Sequence, residues 1–168
     1  MAIAQIDPEQ HRQQLQGLFW EYLSWANDRN AEHLGLRLDI QALQETDIAD
    51  LGKYVPPRGL LLVAQADAQL LGCICLKTLD ESMGELKRLY VRPAYRRQGI
   101  GSRLIEEAIV QASRLGFQTL RLDSARYMID AQTLYQRVGF GFIEPYAESE
   151  IPSEYHPNWV FMELTLVS

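Results

Sequence analysis

The chain has 168 residues, a formal net charge of −6 and an apolar fraction of 47%, which is typical of a water-soluble globular domain. The negative charge argues against a nucleic-acid-binding surface. No apolar run approaches the roughly 18 residues of a membrane helix, and the first residues lack the basic-then-apolar pattern of a secretory signal. We therefore expect one domain over residues 1–168, in the cytoplasm and away from membranes.

The first quarter of the chain predicts a short strand followed by two helices. A strand is expected over residues 2–6, and Asp7-Pro8 is typical of a helix start with Asp as the N-cap. The buried face of this helix is predicted from residues at helical spacing: Leu15, Leu18, Phe19, Tyr22 and Ala26. The polar stretch 27–35 breaks that pattern, a second helix is expected over 39–51, and Pro56-Pro57 predicts a loop over 52–59.

The remaining elements predict a mixed α/β fold. Strands over 60–65, 69–78 and 84–91 are separated by hairpin-sized gaps and should be antiparallel neighbours. A helix over 101–115 and a strand over 117–123 imply a parallel pair with a right-handed crossover. A helix over 128–138 and strands over 140–143 and 158–166 complete the sheet. It should be mostly antiparallel, with a parallel central pair and helices on both faces.

The cysteines and histidines predict neither a disulfide nor a metal site. Cys73 and Cys75 point to the same face of one predicted strand, where buried apolar residues are expected. Their spacing is not that of a redox pair. The three histidines, His11, His33 and His156, are scattered along the chain.

The segment Arg96-Arg97-Gln98-Gly99-Ile100-Gly101 is the strongest functional signal. It lies between a predicted strand and a predicted helix, where glycines leave the backbone open and the first turn of the helix presents free N–H groups. From Lys87 to Arg103 there are six basic residues and no acidic one. This pattern indicates a phosphate or pyrophosphate site. On the segment alone, a plain strand-to-helix turn is an equally good interpretation.

Four pieces in order resemble the GNAT superfamily of N-acyltransferases, and the element order resembles its fold over nearly the whole chain. They are Leu89-Tyr90-Val91-Arg92-Pro93, Arg96-x-x-Gly99-x-Gly101, Leu122-Asp123 and Ala131-x-x-Leu134-Tyr135-x-x-x-Gly139-Phe140. The resemblance implies acyl-CoA, usually acetyl-CoA, as cofactor. It implies a pyrophosphate site at Arg96, Arg97, Gln98, Gly99, Ile100, Gly101 and Ser102.

The resemblance also implies that pantetheine lies between two splayed strands, like an added strand, and bonds the backbone around Leu89, Tyr90 and Val91. A bulge near residues 88–90 would support the splay. The resemblance also assigns Ala131 and Tyr135 to this cofactor site. Many relatives have Asn where this chain has Met128, so that contact is lost or replaced, with Ser124 as one candidate.

Acyl transfer to an amine needs a proton acceptor, an oxyanion donor and a proton for the leaving thiolate. The resemblance points to Tyr135 as general acid and to the backbone N–H of Leu89 as oxyanion donor; a core aromatic is the alternative for Tyr135. Glu85 is the candidate water-linked base. It could equally be a solvated strand-end carboxylate, and some relatives need no dedicated base.

The expected acceptor is a primary amine of a small molecule or peptide, but no single residue identifies it. In this family the acceptor regions are the two N-terminal helices and the loops before the last strand. They hold aromatic and acidic residues that would suit a cationic amine: Trp20, Tyr22, Trp25, His33, Tyr54, Tyr155, His156, Trp159, Glu21, Asp28, Glu148, Glu150 and Glu154. Core packing and a solvated acidic surface are the alternatives for each residue.

Two other function classes compete with an acyltransferase. One is a catalytically inert member that binds acyl-CoA as a sensor or protein-interaction module. Another is a dinucleotide fold or a P-loop protein, whose glycine motifs are absent from this chain. A homodimer through the last strands is possible.

Overall fold

The computed structural model describes residues 1–166, which form four α-helices and seven strands. Three short 3₁₀ turns, at Leu51–Tyr54, Pro93–Tyr95 and Ser153–Asn158, lie between these elements. In chain order the elements are β1 (Ala2–Gln5), α1 (Arg12–Leu34), α2 (Ile40–Ala49), β2 (Gly59–Ala66), β3 (Gln69–Thr78), β4 (Met83–Val91), α3 (Ile100–Arg114), β5 (Thr119–Ala125), α4 (Ile129–Arg137), β6 (Gly141–Ile143) and β7 (Trp159–Thr165).

All seven strands belong to one sheet with the order β1-β2-β3-β4-β5-β7-β6. Only the central β4–β5 pair is parallel, and the other neighbours are antiparallel. The crossover between β4 and β5 is helix α3, because parallel neighbours cannot be joined by a tight turn. The predicted mixed sheet with a parallel central pair is therefore confirmed.

Alternating residues of the strands build a core on each face of the sheet. On β2, Leu60 and Leu62 belong to the core that contains α3, whereas Leu61 and Val63 belong to the core that contains α1. Cys73 and Cys75 are buried free thiols on the α1 face, as predicted. Helices on both faces follow from this period-two pattern.

The structure corrects the predicted limits of α1. Asp7 does not cap the helix; its Oδ1 accepts from the backbone N–H of Glu9 at 2.9 Å in a separate turn, and α1 begins at Arg12. The helix also continues through the polar stretch 27–34, because Asn27 and Asn30 are buried and hydrogen-bonded. Tertiary partners replace the apolar pattern there. The predicted loop over 52–59 begins with a 3₁₀ turn, since Leu51 and Tyr54 are buried.

The central strands open into a gap that the family resemblance anticipated. β4 and β5 pair only from Met83 to Glu85, opposite Thr119 to Arg121. A register shift between Cys73 and Cys75 sets two β4 residues, Arg88 and Leu89, opposite one β3 residue. Arg88 adopts φ +57°, which is rare for a residue with a side chain. This bulge at the predicted position turns the end of β4 away from β5.

Within residues 1–166, none of the helices is both long enough and apolar enough to cross a membrane.

Candidate active site

A cavity of about 150 Å³ lies in the gap between β4 and β5. Its floor comes from the unpaired ends of both strands, and its walls come from α1, the start of α2, α4 and the segment before β7. The polar residues that line it are Tyr22, Asn27, Asn30, Lys87, Arg88, Asp123, Ser124, Tyr135 and Glu150. The sheet geometry therefore gathers titratable groups from distant parts of the chain in one enclosed space.

An outer groove of about 400 Å³ leads from this cavity toward the loop before α3. The two spaces share Trp25, Leu89, Met128 and Ala131 as lining residues. Tyr90 and Val91 also line the groove. Because β4 has no strand partner on this side beyond Glu85, an extended chain could lie along it as pantetheine would.

The loop before α3 has the geometry of an anion cradle. Gly99 is the N-cap residue with φ +75°, and a Cβ built on it would meet nothing within 4 Å. No side chain caps this helix end, so its first N–H groups face outward. Arg97, Gln98 and Gly99 are exposed. The residues therefore fit a diphosphate approaching the backbone.

Arg96 has a different position from the rest of the loop. Its guanidinium lies 4.5 Å from the centre of the Trp25 ring and 5.5 Å from that of Tyr90, and its Nε donates to the carbonyl of Val91 at 2.8 Å. These contacts place its side chain in the wall of the outer groove, beside the predicted path of pantetheine. Arg96 thus joins the loop to α1 and β4.

Tyr135 points from α4 into the inner cavity. Its hydroxyl has no hydrogen-bond partner among the described residues, and its ring packs edge-on against Phe140 at 6.2 Å. Burial, together with the nearby Tyr22 and Asp123, raises the pKa of Tyr135 well above its usual value. The phenol is therefore protonated at neutral pH, as a general acid must be.

Asp123 is a functional candidate that sequence reasoning missed. It lines the inner cavity, and its carboxylate accepts a hydrogen bond from Ser149 Oγ at 3.1 Å. Burial, followed by the negative charges of Glu150 and Glu85, raises the pKa of Asp123 to about 7. A carboxylate tuned to neutral pH inside a cavity is what a general base requires. The only sequence signal was its place in the Leu122-Asp123 motif.

Glu85, the predicted base, lies beside the inner cavity but does not line it. It is 1% exposed, its Oε2 accepts from Tyr146 at 2.8 Å, and Lys77 Nζ lies 3.4 Å from Oε1. The Lys77 approach is not directed as a hydrogen bond, so Oε1 has no hydrogen-bond partner within residues 1–166. Its side chain is thus separated from the cavity by its neighbours.

Residues 146–151, which lie between β6 and β7 in the chain, cover part of the cavity. We call this segment the strap. Each of three strap side chains bonds to a charged residue on the central strands: Tyr146 to Glu85, Ser149 to Asp123, and Glu150 to Lys87 and Arg88. Ile151 is buried and lines the cavity. Two strap residues, Glu150 and Ile151, therefore form part of the cavity wall.

Few of the aromatic and acidic residues predicted for the acceptor region reach the cavity. Tyr22, Trp25, Trp159 and Glu150 line it. Trp20, by contrast, is 44% exposed on the outer surface of α1. The other predicted acceptor residues, Glu21, Asp28, His33, Tyr54, Glu148, Glu154, Tyr155 and His156, do not line the cavity.

Comparison with known proteins agrees with this geometry. The model of the acetyltransferase (GNAT) family matches residues 12–140. An uncharacterized N-acetyltransferase of Schizosaccharomyces pombe is 33% identical over 137 residues, which cover 80% of this chain and 81% of the relative. The chain therefore belongs to the GNAT family of N-acetyltransferases, as its motifs predicted.

Solved structures show the same fold. A GNAT acetyltransferase of Staphylococcus aureus superposes with a TM-score of 0.76 at 19% identity and covers 99% of both chains. The PaiA N-acetyltransferase of Thermoplasma acidophilum, solved with coenzyme A, has a TM-score of 0.70 at 23% identity and covers 98% of this chain and 99% of its own. The overall fold is thus the one that these structures share.

Proposed function

We propose that this protein transfers an acetyl group from acetyl-CoA to the primary amine of a small molecule, by direct attack within the inner cavity. Family membership makes acetyl-CoA the cosubstrate. The observation that carries the finer proposal is the joint position of Asp123 and Tyr135, which line one enclosed cavity at the point where β4 and β5 part.

The outer groove and the loop before α3 would hold acetyl-CoA. Backbone N–H groups of residues 97–102 would bind the diphosphate, and the free edge of β4 around Leu89 and Val91 would bind pantetheine. Ser124, Met128 and Ala131 line the cavity where the thioester would enter. Acetyl-CoA supplies an activated acyl carbon, and the residues of this chain supply proton transfer and charge stabilisation.

Each proton has an acceptor or donor in the cavity. The amine reacts as its free base, and Asp123 takes the proton that the nitrogen loses as the new C–N bond forms. The backbone N–H of Leu89 donates to the oxygen that becomes negative, and the bulge at Arg88 and Leu89 sets its direction. Tyr135 protonates the sulfur as the C–S bond breaks. The products are the N-acetylated amine and coenzyme A, so atoms and charge balance.

We assign the base to Asp123 and give Glu85 an indirect role through its charge. Asp123 lines the cavity and Glu85 does not, and Tyr146 and Lys77 occupy the surroundings of Glu85. The negative charge of Glu85 contributes to the raised pKa of Asp123. Glu85 would then act through Asp123 rather than on the substrate.

Titration calorimetry with acetyl-CoA, followed by a thiol-release assay with small primary amines, tests the proposal. We expect acetyl-CoA to bind with a micromolar or lower Kd, whereas ATP and NAD should not compete. An amine should then release coenzyme A and give an N-acetylated product by mass spectrometry. Selective binding without turnover on any amine would instead support an inert acyl-CoA sensor, and no binding by folded protein would reject both.

A further inference from the structure

The strap and the bulge of β4 are joined by a buried chain of charges. Lys53 Nζ lies 3.2 Å from Asp47, which accepts from Arg88 Nε at 2.6 Å. The Arg88 guanidinium donates two hydrogen bonds to the Glu150 carboxylate, at 2.7 and 3.1 Å, and Lys87 also donates to Glu150. The chain contains three cations and two carboxylates, so it carries one positive charge in excess.

Two of these cations, Lys87 and Arg88, line the inner cavity, whereas Lys53 lies outside it. Their side chains are only 8% and 4% exposed. Arginine has five N–H donors and lysine has three. Arg88 uses three and Lys87 uses one, so two on each remain without a partner among residues 1–166. Buried cations with spare donors favour an anionic oxygen ligand.

Because Glu150 already belongs to this chain of charges, it is a poor binding site for a positively charged group of the acceptor. Its carboxylate already accepts from Lys87 and Arg88, and these two cations outweigh burial and lower the pKa of Glu150 far below its usual range. Asp123 is the carboxylate of the cavity wall that no cation contacts directly. The cavity therefore offers one proton acceptor for the amine and, at Lys87 and Arg88, one subsite with unused cationic donors for a second group.

The remaining walls of the cavity are apolar and leave little space. They include Leu38, Ile40, Leu43, Ile151 and Trp159. A cavity of roughly 150 Å³ is large enough for a molecule of about the size of benzene. The cavity volume and its apolar walls together favour a compact acceptor with an apolar side chain of a few carbon atoms.

We propose that the acceptor is a free α-amino acid with a small or medium apolar side chain. This inference rests on the proposed acetyl transfer and names its substrate class. The carboxylate of the acceptor bonds to Lys87 and Arg88, its amine faces Asp123, and its side chain contacts the apolar wall. Lys87 is then a specificity-determining residue.

The test compares L-alanine, L-valine, L-leucine and L-methionine with their amides, using thiol release and mass spectrometry of the product. The amino acid and the amide of each pair have the same side chain, and only the amino acid has a carboxylate. The amine of the amide is the less basic, so simple reactivity would favour the amide. We expect at least one amino acid to exceed its amide in kcat/KM by roughly 10–100-fold, the range expected for charge-assisted hydrogen bonds.

Variants of Lys87 test whether this side chain causes the preference for the amino acid over its amide. Lys87→Met should lower the ratio of kcat/KM for the amino acid to kcat/KM for its amide by roughly 10–100-fold, and should leave the Kd for acetyl-CoA unchanged. Lys87→Arg should restore part of the preference. Arg58→Met is the matched control: it removes a cation that pairs with Asp50, is 60% exposed and lies outside the cavity. Arg58→Met should change the kinetic constants for neither substrate.

The outcomes separate this inference from the proposed function. Amides or peptides acetylated as well as the amino acids would overturn the amino-acid proposal and leave acetyl transfer intact, as would an equal loss for both substrates in Lys87→Met. Failure of every amino acid would also overturn it. In that case the calorimetric titration with acetyl-CoA decides whether the proposed function survives.

Discussion

At the scale of single residues, the raised pKa of Asp123 has a direct kinetic consequence. A general base works only when deprotonated, so the pH profile of kcat/KM should contain an inflection at about 7 that belongs to the enzyme. Asp123→Asn should lower kcat/KM by about 10²–10⁴ and remove this inflection. Two acceptors with different amine pKa values separate the inflection of the enzyme from that of the substrate. An inflection that moves with the amine would exclude Asp123 as the base.

Tyr135 can be tested with little risk to the fold, because its hydroxyl has no partner within the described chain. Tyr135→Phe keeps the ring against Phe140 and should leave the thermal midpoint and the Kd for acetyl-CoA unchanged. It should lower kcat by about 10²–10⁴, since the leaving thiolate loses its proton donor. Tyr95→Phe, which removes a hydroxyl outside the cavity, is the control. Full turnover in Tyr135→Phe would leave Tyr135 only its packing role.

Sequence reasoning predicted Tyr135, which lines the cavity, but did not predict the partners of Asp123, and the reason is distance along the chain. Ser149 bonds to Asp123 across 26 positions, and Glu150 bonds to Arg88 across 62. Periodicity and motif spacing report on neighbours within a few residues. The strap follows a short edge strand in a stretch rich in proline, so no local pattern indicated which side chains would reach the cavity.

At the scale of elements, local signals succeeded where local interactions decide the structure. The three hairpin strands β2 to β4 follow apolar runs and short gaps, and their predicted limits agree with the structure to within one residue. Helix α1 differs because its C-terminal half buries amides. Asn27 bonds to both backbone groups of Leu38, and Asn30 accepts from Tyr127 at 2.7 Å. A hydrophobic pattern cannot anticipate a polar face that finds partners elsewhere.

The start of α3 allows a prediction that separates binding from strain. Gly99→Ala places a methyl group in the anion cradle and forces alanine into a left-handed conformation, which costs about 1 kcal/mol. We expect a modest loss of stability and at least a roughly 10-fold weaker Kd for acetyl-CoA. Gly116→Ala, at the other end of α3, has the same kind of positive φ with open space around it. It should lose stability without losing affinity, as calorimetry and thermal unfolding can show.

At the scale of the whole molecule, buried charge is concentrated where the fold opens. The basic stretch 87–103 predicted an anionic ligand, and the uncapped start of α3 fits one. Composition did not indicate that two of those cations, Lys87 and Arg88, turn inward and pair with carboxylates from α2 and the strap. Basic residues that form one stretch in the sequence are thus divided between the interior and the surface of the fold.

These buried carboxylates predict how stability depends on pH. Asp123 has a pKa of about 7 when folded and about 3.9 when unfolded, so between pH 8 and 5 the folded state binds a proton that the unfolded state does not. The free energy of unfolding should rise as pH falls over that window. Asp47 and Glu150 have lowered pKa values because Arg88 and the lysines hold them ionised. Their stabilising contribution to the free energy of unfolding is present above about pH 4 and is lost below it.

Thermal unfolding followed from pH 8 to pH 3 should therefore show a midpoint that rises toward pH 5 and falls below pH 4. The rise should be at least roughly 2–4 °C, which is what 1 kcal/mol produces in a chain of this length. In Asp123→Asn the rise should disappear, because no carboxylate remains there to take up the proton. In Glu150→Gln the acid-side fall should be shallower. A midpoint of the unaltered protein that decreases steadily from pH 8 downward would contradict the raised pKa of Asp123 and, with it, the assignment of the base.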